Sequence, residues 1–183
     1  MLIDLLKNDA VISQYLCKEC SENDVSIEID KDIESEDVLI IKIDNYYNKL
    51  VHKPPPSPDC LIIQKCSKNN FIIYIVELKN IESPKFFKIE NIKQKFITCL
   101  DDFMSIRFAK YFHDEEPNYL NIHLIFISDP YDFKNIPVKQ EKMSGYKLDA
   151  LLAQRIPKYF NKYLYINHKI PNPKINNCRN PEV

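Results

Sequence analysis

Three residues stand in a spacing that suits polar chemistry: Asp59, Glu77 and Lys79. Glu77 and Lys79 close the run Phe71-Ile72-Ile73-Tyr74-Ile75-Val76, which is wholly apolar and rich in β-branched side chains. Such a run predicts a strand covered on both faces. Residues two apart on a strand share a face, so a carboxylate and an ammonium emerge side by side at its end. Asp59 opens the preceding run, Cys60-Leu61-Ile62-Ile63, and Ser67-Lys68-Asn69-Asn70 between the two reads as a turn. In an antiparallel hairpin the start of one strand lies beside the end of the other. Asp59, Glu77 and Lys79 are therefore expected to converge. Two carboxylates and the backbone carbonyl of Leu78 make an oxygen-rich set suited to Mg²⁺. A neighbouring lysine can hold a phosphate, orient a water or, with a lowered pKa, act as a base. These are the parts that metal-assisted phosphodiester hydrolysis requires.

The elements that position this set follow from periodicity. Leu2, Leu5, Leu6, Ile12, Tyr15 and Leu16 predict a helix over Leu2 to Lys18. Val25 to Ile29 alternates as a half-buried strand does, and Val38 to Ile43 is a second strand. Asp44 to Leu50 fits either a continued strand or a helical turn. The segment Lys53 to Pro58, with four prolines, can be neither helix nor central strand. A long amphipathic helix is expected from Ile89 to Phe112, with Ile89, Ile92, Phe96, Leu100, Phe103 and Ile106 inward. Asn121 to Ile127 reads as a buried strand, Tyr146 to Ile156 as a helix and Tyr163 to Ile166 as a short strand. The order predicts an α/β protein of the α+β type, with a mixed sheet flanked by helices.

Pro58-Asp59, an eighteen-residue interval through a hairpin, and Glu77-Leu78-Lys79 ahead of a long helix resemble the PD-(D/E)XK nuclease superfamily. The resemblance covers Leu2 to Ile127. It implies a restriction-endonuclease-like αβββαβ core and a single nuclease-like domain over residues 1–183. Within it the core spans about 1–128, a helix-strand extension 129–168 and a polar tail 169–183. It also implies a metal-dependent endonuclease acting on DNA, with Asp59, Glu77 and Lys79 catalytic and Mg²⁺ or Mn²⁺ held by Asp59, Glu77 and the Leu78 carbonyl. Many members of the family add a carboxylate from the first helix. Glu19 is the matching candidate, with Asp44 and His52 as further ones. Lys85, Lys88, Lys93 and Lys95 cluster around the start of the long helix and could meet phosphates. A homodimer would let one chain meet both strands of a duplex. The alternative is a catalytically inactive module of this fold that binds nucleic acid or a protein.

Composition narrows the field further. The chain has 183 residues and a single glycine, Gly145, so every glycine-rich phosphate loop and the GxSxG elbow are excluded. No apolar stretch is long enough to predict a membrane span. The N-terminus lacks the pattern of a signal peptide, and the cytoplasm is the expected compartment. The six cysteines fit that compartment as reduced thiols, and Cys17 and Cys20 form one CxxC without the second pair that structural zinc needs. Charge is uneven. Glu22 to Asp37 carries eight acids against Lys31, whereas ten bases and three acids follow from Lys134 onward. That asymmetry permits a polyanion to meet the C-terminal third.

Overall fold

The computed structural model describes residues 2–50, 52–80, 88–114, 117–129, 153, 155–160 and 162–179. It is a mixed α+β fold with a seven-stranded sheet, a second sheet of three strands and few helices. The N-terminal helix is shorter than its apolar stripe suggests: α1 spans Leu2–Lys7. Asp9 stops it. Its Oδ1 accepts the backbone N–H groups of Val11 and Ile12, both at 2.9 Å. That competes with helix continuation and caps a short 3₁₀ turn over Ile12–Tyr15. The chain then becomes extended in β1 (Leu16–Cys17), β2 (Cys20–Glu22), β3 (Val25–Ile29) and β4 (Val38–Lys42). The ambiguous segment after β4 is helix α2, Ile43–Leu50.

β5 (Cys60–Ser67) and β6 (Asn70–Lys79) form the expected hairpin. β4 pairs antiparallel with β5, so β4-β5-β6 is a meander. The chain crosses over through α3 (Ile89–Ile97) and enters β7 (Asn118–Ser128), parallel to β6. β8 (Arg155–Tyr159) and β9 (Lys162–Lys169) complete the order β1-β4-β5-β6-β7-β9-β8. Arg155 and Ile156 are thus strand rather than the end of a helix; the remainder of the helix expected over Tyr146 to Ile156 lies mostly outside the described residues. The polar tail is not loose. β10 (Lys174–Ile175) pairs parallel with β3, giving the small sheet β10-β3-β2.

Strand parity divides the core. Leu39, Ile41, Leu61, Ile63, Phe71, Ile73, Ile75, Leu124 and Phe126 face one side, under α3 and α2. Ile40, Cys60, Ile62, Tyr74, Val76, Leu78, Ile125 and Ile127 face the other, under the small sheet. Coverage on both faces explains why β6 reads as unbroken apolar sequence. After α3 the helix widens to π-type turns over Thr98–Arg107 and again over Lys110–Asp114. The buried positions there are Thr98, Cys99, Leu100, Phe103, Met104, Phe108, Tyr111 and Phe112. Ile106, expected inward on a 3.6-residue period, is 72% exposed. The wider turn carries it past the inward face.

The cysteines differ from expectation. Cys20–Cys60 and Cys66–Cys178 are disulfides, while Cys17 and Cys99 are free. One bridge staples the small sheet to β5, the other staples the C-terminal segment to it. The spacing did not show this because each pair is 40 or 112 residues apart and is brought together only by the fold. Disulfides persist in oxidising surroundings, so the reduced-thiol argument for the cytoplasm falls away. Among the described residues no helix is long and apolar enough to cross a membrane.

Candidate active site

The ladder between β5 and β6 pairs Cys60 with Val76. One step further along, Asp59 meets the segment Glu77-Leu78. The Leu78 N–H donates to Asp59 Oδ2 at 2.6 Å, so the carboxylate takes the place of the next rung. Asp59 is 7% exposed and Glu77 fully buried. Both share parity with Leu61 and Ile75, which places them on the face covered by α3. The neighbouring strand β4 joins the same corner: Ile43 N–H donates to the Asp59 carbonyl at 3.0 Å, so α2 begins there.

Glu77 is the electrostatic centre. Lys95, from α3, donates to its Oε1 at 2.6 Å, while Lys79 Nζ lies 3.6 Å from the same oxygen. Oε2 is buried and has no hydrogen-bond partner among the described residues. Burial disfavours the carboxylate, the Asp59 charge adds to that, and Lys95 and Lys79 oppose it; the balance raises the Glu77 pKa to about 8. Lys95 was expected on a phosphate-facing surface, but its side chain is only 15% exposed and its charge is spent on Glu77. A sequence signal for this existed. Ile92, Lys95, Phe96 and Cys99 fall on one helical stripe, so Lys95 is a cation at an inward position. Lys79 is 38% exposed and is the freer of the two ammonium groups.

The further acid candidates separate. Asp44, in the first turn of α2, is half-buried and its Oδ1 has no partner. Burial raises its pKa; its bond from the Asn45 N–H and the charges of Lys42 and Lys95 pull it back. Glu19 does not reach the Glu77 corner. It is exposed in the turn between β1 and β2, beside Cys20, which packs on the opposite face of the sheet. The helix meant to carry it ends at Lys7. His52 is exposed in the bend after α2, and nothing among the described residues joins it to the carboxylates. Lys88 is exposed at the start of α3, Lys93 is half-buried, and Lys85 lies outside the described residues.

Two polar groups were not singled out from sequence. Lys79 pairs in parallel register with Ser128, the last residue of β7. The ring Nε2 of His168, on β9, lies 3.0 Å from both Ser128 Oγ and the Ser128 carbonyl. Burial holds the His168 pKa below its ordinary value. Ser128 and His168 extend the polar edge beyond Lys79, at the carboxyl ends of parallel strands where α/β sheets commonly bind ligands. The signal lay in the end of the β7 run, legible once β7 is known to be parallel to β6.

Among the described residues no three His, Cys, Asp or Glu side chains converge as a metal cage. The pair Asp59 and Glu77 nevertheless suits a hard cation in its donor chemistry: Glu77 Oε2 is a buried oxygen with no hydrogen-bond partner among the described residues, and Asp59 uses Oδ2 on the backbone. Mg²⁺ commonly takes one or two carboxylates and completes its shell with water and substrate oxygens. In comparison with known proteins, no family model, curated protein or solved structure matches this chain.

Proposed function

We propose that this chain is a Mg²⁺- or Mn²⁺-dependent endonuclease that hydrolyses phosphodiester bonds, in DNA foremost, at a PD-(D/E)XK-like site of Asp59, Glu77 and Lys79. The observation that carries the reading is Glu77, buried beside a second carboxylate with one oxygen unpartnered among the described residues. Two carboxylates in low-dielectric surroundings are costly, and a cation between them relieves both. Asp59, Glu77 and the Leu78 carbonyl would hold the ion. When bound, such an ion lowers the pKa of a water and stabilises the leaving oxygen. The chain's own groups do the rest. Leu78 N–H orients the Asp59 carboxylate. Lys95 pins Glu77 Oε1. Lys79, nearer solvent, holds the scissile phosphate or the attacking water. Lys88 and the basic C-terminal third supply backbone contacts to the polyanion. A homodimer would place two such sites on opposite strands; sedimentation at micromolar concentration, with and without duplex DNA, tests it.

A second reading has support of its own: a catalytically inactive module of the same fold. Lys95 already neutralises Glu77, and no third acid completes a cage among the described residues. The two readings separate in one experiment. Plasmid, single-stranded DNA and RNA are incubated with Mg²⁺ or Mn²⁺ and wild type, Asp59→Ala, Glu77→Ala or Lys79→Ala. The enzyme reading expects cleavage by wild type only, with metal binding lost in the two carboxylate variants and kept in Lys79→Ala. No cleavage by wild type hands the case to the inactive module. Equal cleavage by all four proteins moves the chemistry elsewhere.

A further inference from the structure

On the sheet face opposite α3, a cavity of about 320 Å³ opens between the large sheet and the tail strand β10. Two aromatic rings line it. Tyr74 and His123 are partners in the β6–β7 register, and their rings stack with centroids 5.1 Å apart and planes within 17°. The Tyr74 ring is held in place from the neighbouring strand. Tyr74 donates its hydroxyl to Gln64 Oε1 at 2.9 Å, and Gln64 Nε2 donates to the Asn176 carbonyl at 3.0 Å. Gln64 is 1% exposed, so this bridge between ring and tail is shielded from water. Ile27, Ile125 and Ile175 supply apolar walls. Besides Tyr74 and His123, the polar groups at the cavity are Asn167, Lys169 and Lys174, and among the described residues no acid lines it. Lys174 is steadied by Asp30 at 3.0 Å.

A preformed pocket with a stacked aromatic pair, apolar walls and cations at its margin selects a flat ring carrying an anion. We propose that this cavity binds one nucleotide unit, its base stacked on the His123 ring and its phosphate met by Lys169 and Lys174. The volume is at the small end of ligand pockets, which suits a single nucleotide better than a dinucleotide. Burial and the Lys169 charge both hold the His123 pKa below its ordinary value, which keeps the ring neutral at pH 7 and suited to stacking. Asn167, beside Lys169 on β9, offers an amide to the base edge. Ordering the Tyr74 ring in advance lowers the entropic cost of binding. The site shares no residue with the Asp59–Glu77 corner and does not depend on the nuclease reading. The same chemistry could come from a free mononucleotide or from a nucleotide within a single strand, where bases also stack on aromatic side chains.

The test is calorimetric titration of the full chain in EDTA, which prevents metal-dependent cleavage, with AMP, adenosine, inorganic phosphate and a short oligothymidylate as probes. AMP or the oligonucleotide should bind, and adenosine and phosphate alone should each bind at least about tenfold more weakly, since each makes only part of the contact. Tighter binding of the oligonucleotide assigns a strand, and binding of AMP alone assigns a free nucleotide. Lys169→Glu, on an exposed strand position, should weaken nucleotide binding about tenfold and leave the fold intact; His123→Ala should weaken AMP and adenosine alike. The proposal is overturned if neither nucleotide probe binds at millimolar concentration. It is also overturned if phosphate alone matches AMP, or if Lys169→Glu binds as well as wild type.

Discussion

Glu77→Gln should leave stability almost unchanged at low pH and raise it at high pH, in the absence of divalent metal. In the unfolded chain Glu77 titrates near 4.5, and in the folded chain near 8. Between those values the folded state holds a proton that the unfolded state has lost, so wild-type stability falls as pH rises and levels off above about 8. The difference corresponds to about 5 kcal/mol of preference for the protonated form. Glutamine has the same shape and no charge, so it escapes that penalty. Lys95 exchanges a carboxylate at 2.6 Å for an amide oxygen. That attraction is already contained in the Glu77 shift, and the protonated carboxyl has lost it too, so the net gain at high pH is up to about 5 kcal/mol. Urea unfolding in EDTA at pH 5 and pH 8.5 measures it. Mg²⁺ should narrow the gap at pH 8.5 by stabilising wild type alone. A variant that is less stable than wild type at pH 8.5, or equally displaced at both pH values, refutes the burial argument for Glu77.

Three further outcomes follow from the geometry. Lys95→Ala should cost about 2 kcal/mol, because it strips the buried Glu77 of its close donor, whereas the more exposed Lys79→Ala should change urea stability by less than about 0.5 kcal/mol. Removing the Cys20–Cys60 bridge, which closes a 40-residue separation, should lower stability by about 4 kcal/mol, and removing Cys66–Cys178, across 112 residues, by about 5 kcal/mol; paired serine variants measured with and without dithiothreitol report each. Phe103→Ala should cost about 3–5 kcal/mol, since its ring is buried against Tyr46, Phe108 and Phe112, while Ile106→Ala should fall within about 0.5 kcal/mol; equal losses in thermal melts would contradict the π-type register.

What the sequence determined by itself was local and periodic. Alternation and β-branched runs marked β3 to β7 to within a few residues, because a strand's apolar pattern records which of its faces is covered. The hairpin followed from a short turn between two such runs, and with it the meeting of Asp59 with the Glu77-Leu78-Lys79 segment. The absence of glycine-rich loops was equally plain. The tertiary structure decided whatever depends on a partner distant in the chain. Lys95 looked like one of several surface lysines until α3 was laid across β6. Ser128 and His168 joined the edge only once β7 and β9 were seen parallel to β6. Asp9 ended α1 through its own backbone contacts, which left Glu19 far from the helix it was expected to close. Cys20, Cys60, Cys66 and Cys178 found partners that no spacing motif announces. The tail after His168 reads as polar loop, yet pairs with β3 and walls the cavity. Periodicity reports which face a residue turns inward; only three-dimensional packing brings two inward faces together and sets the charges that meet between them.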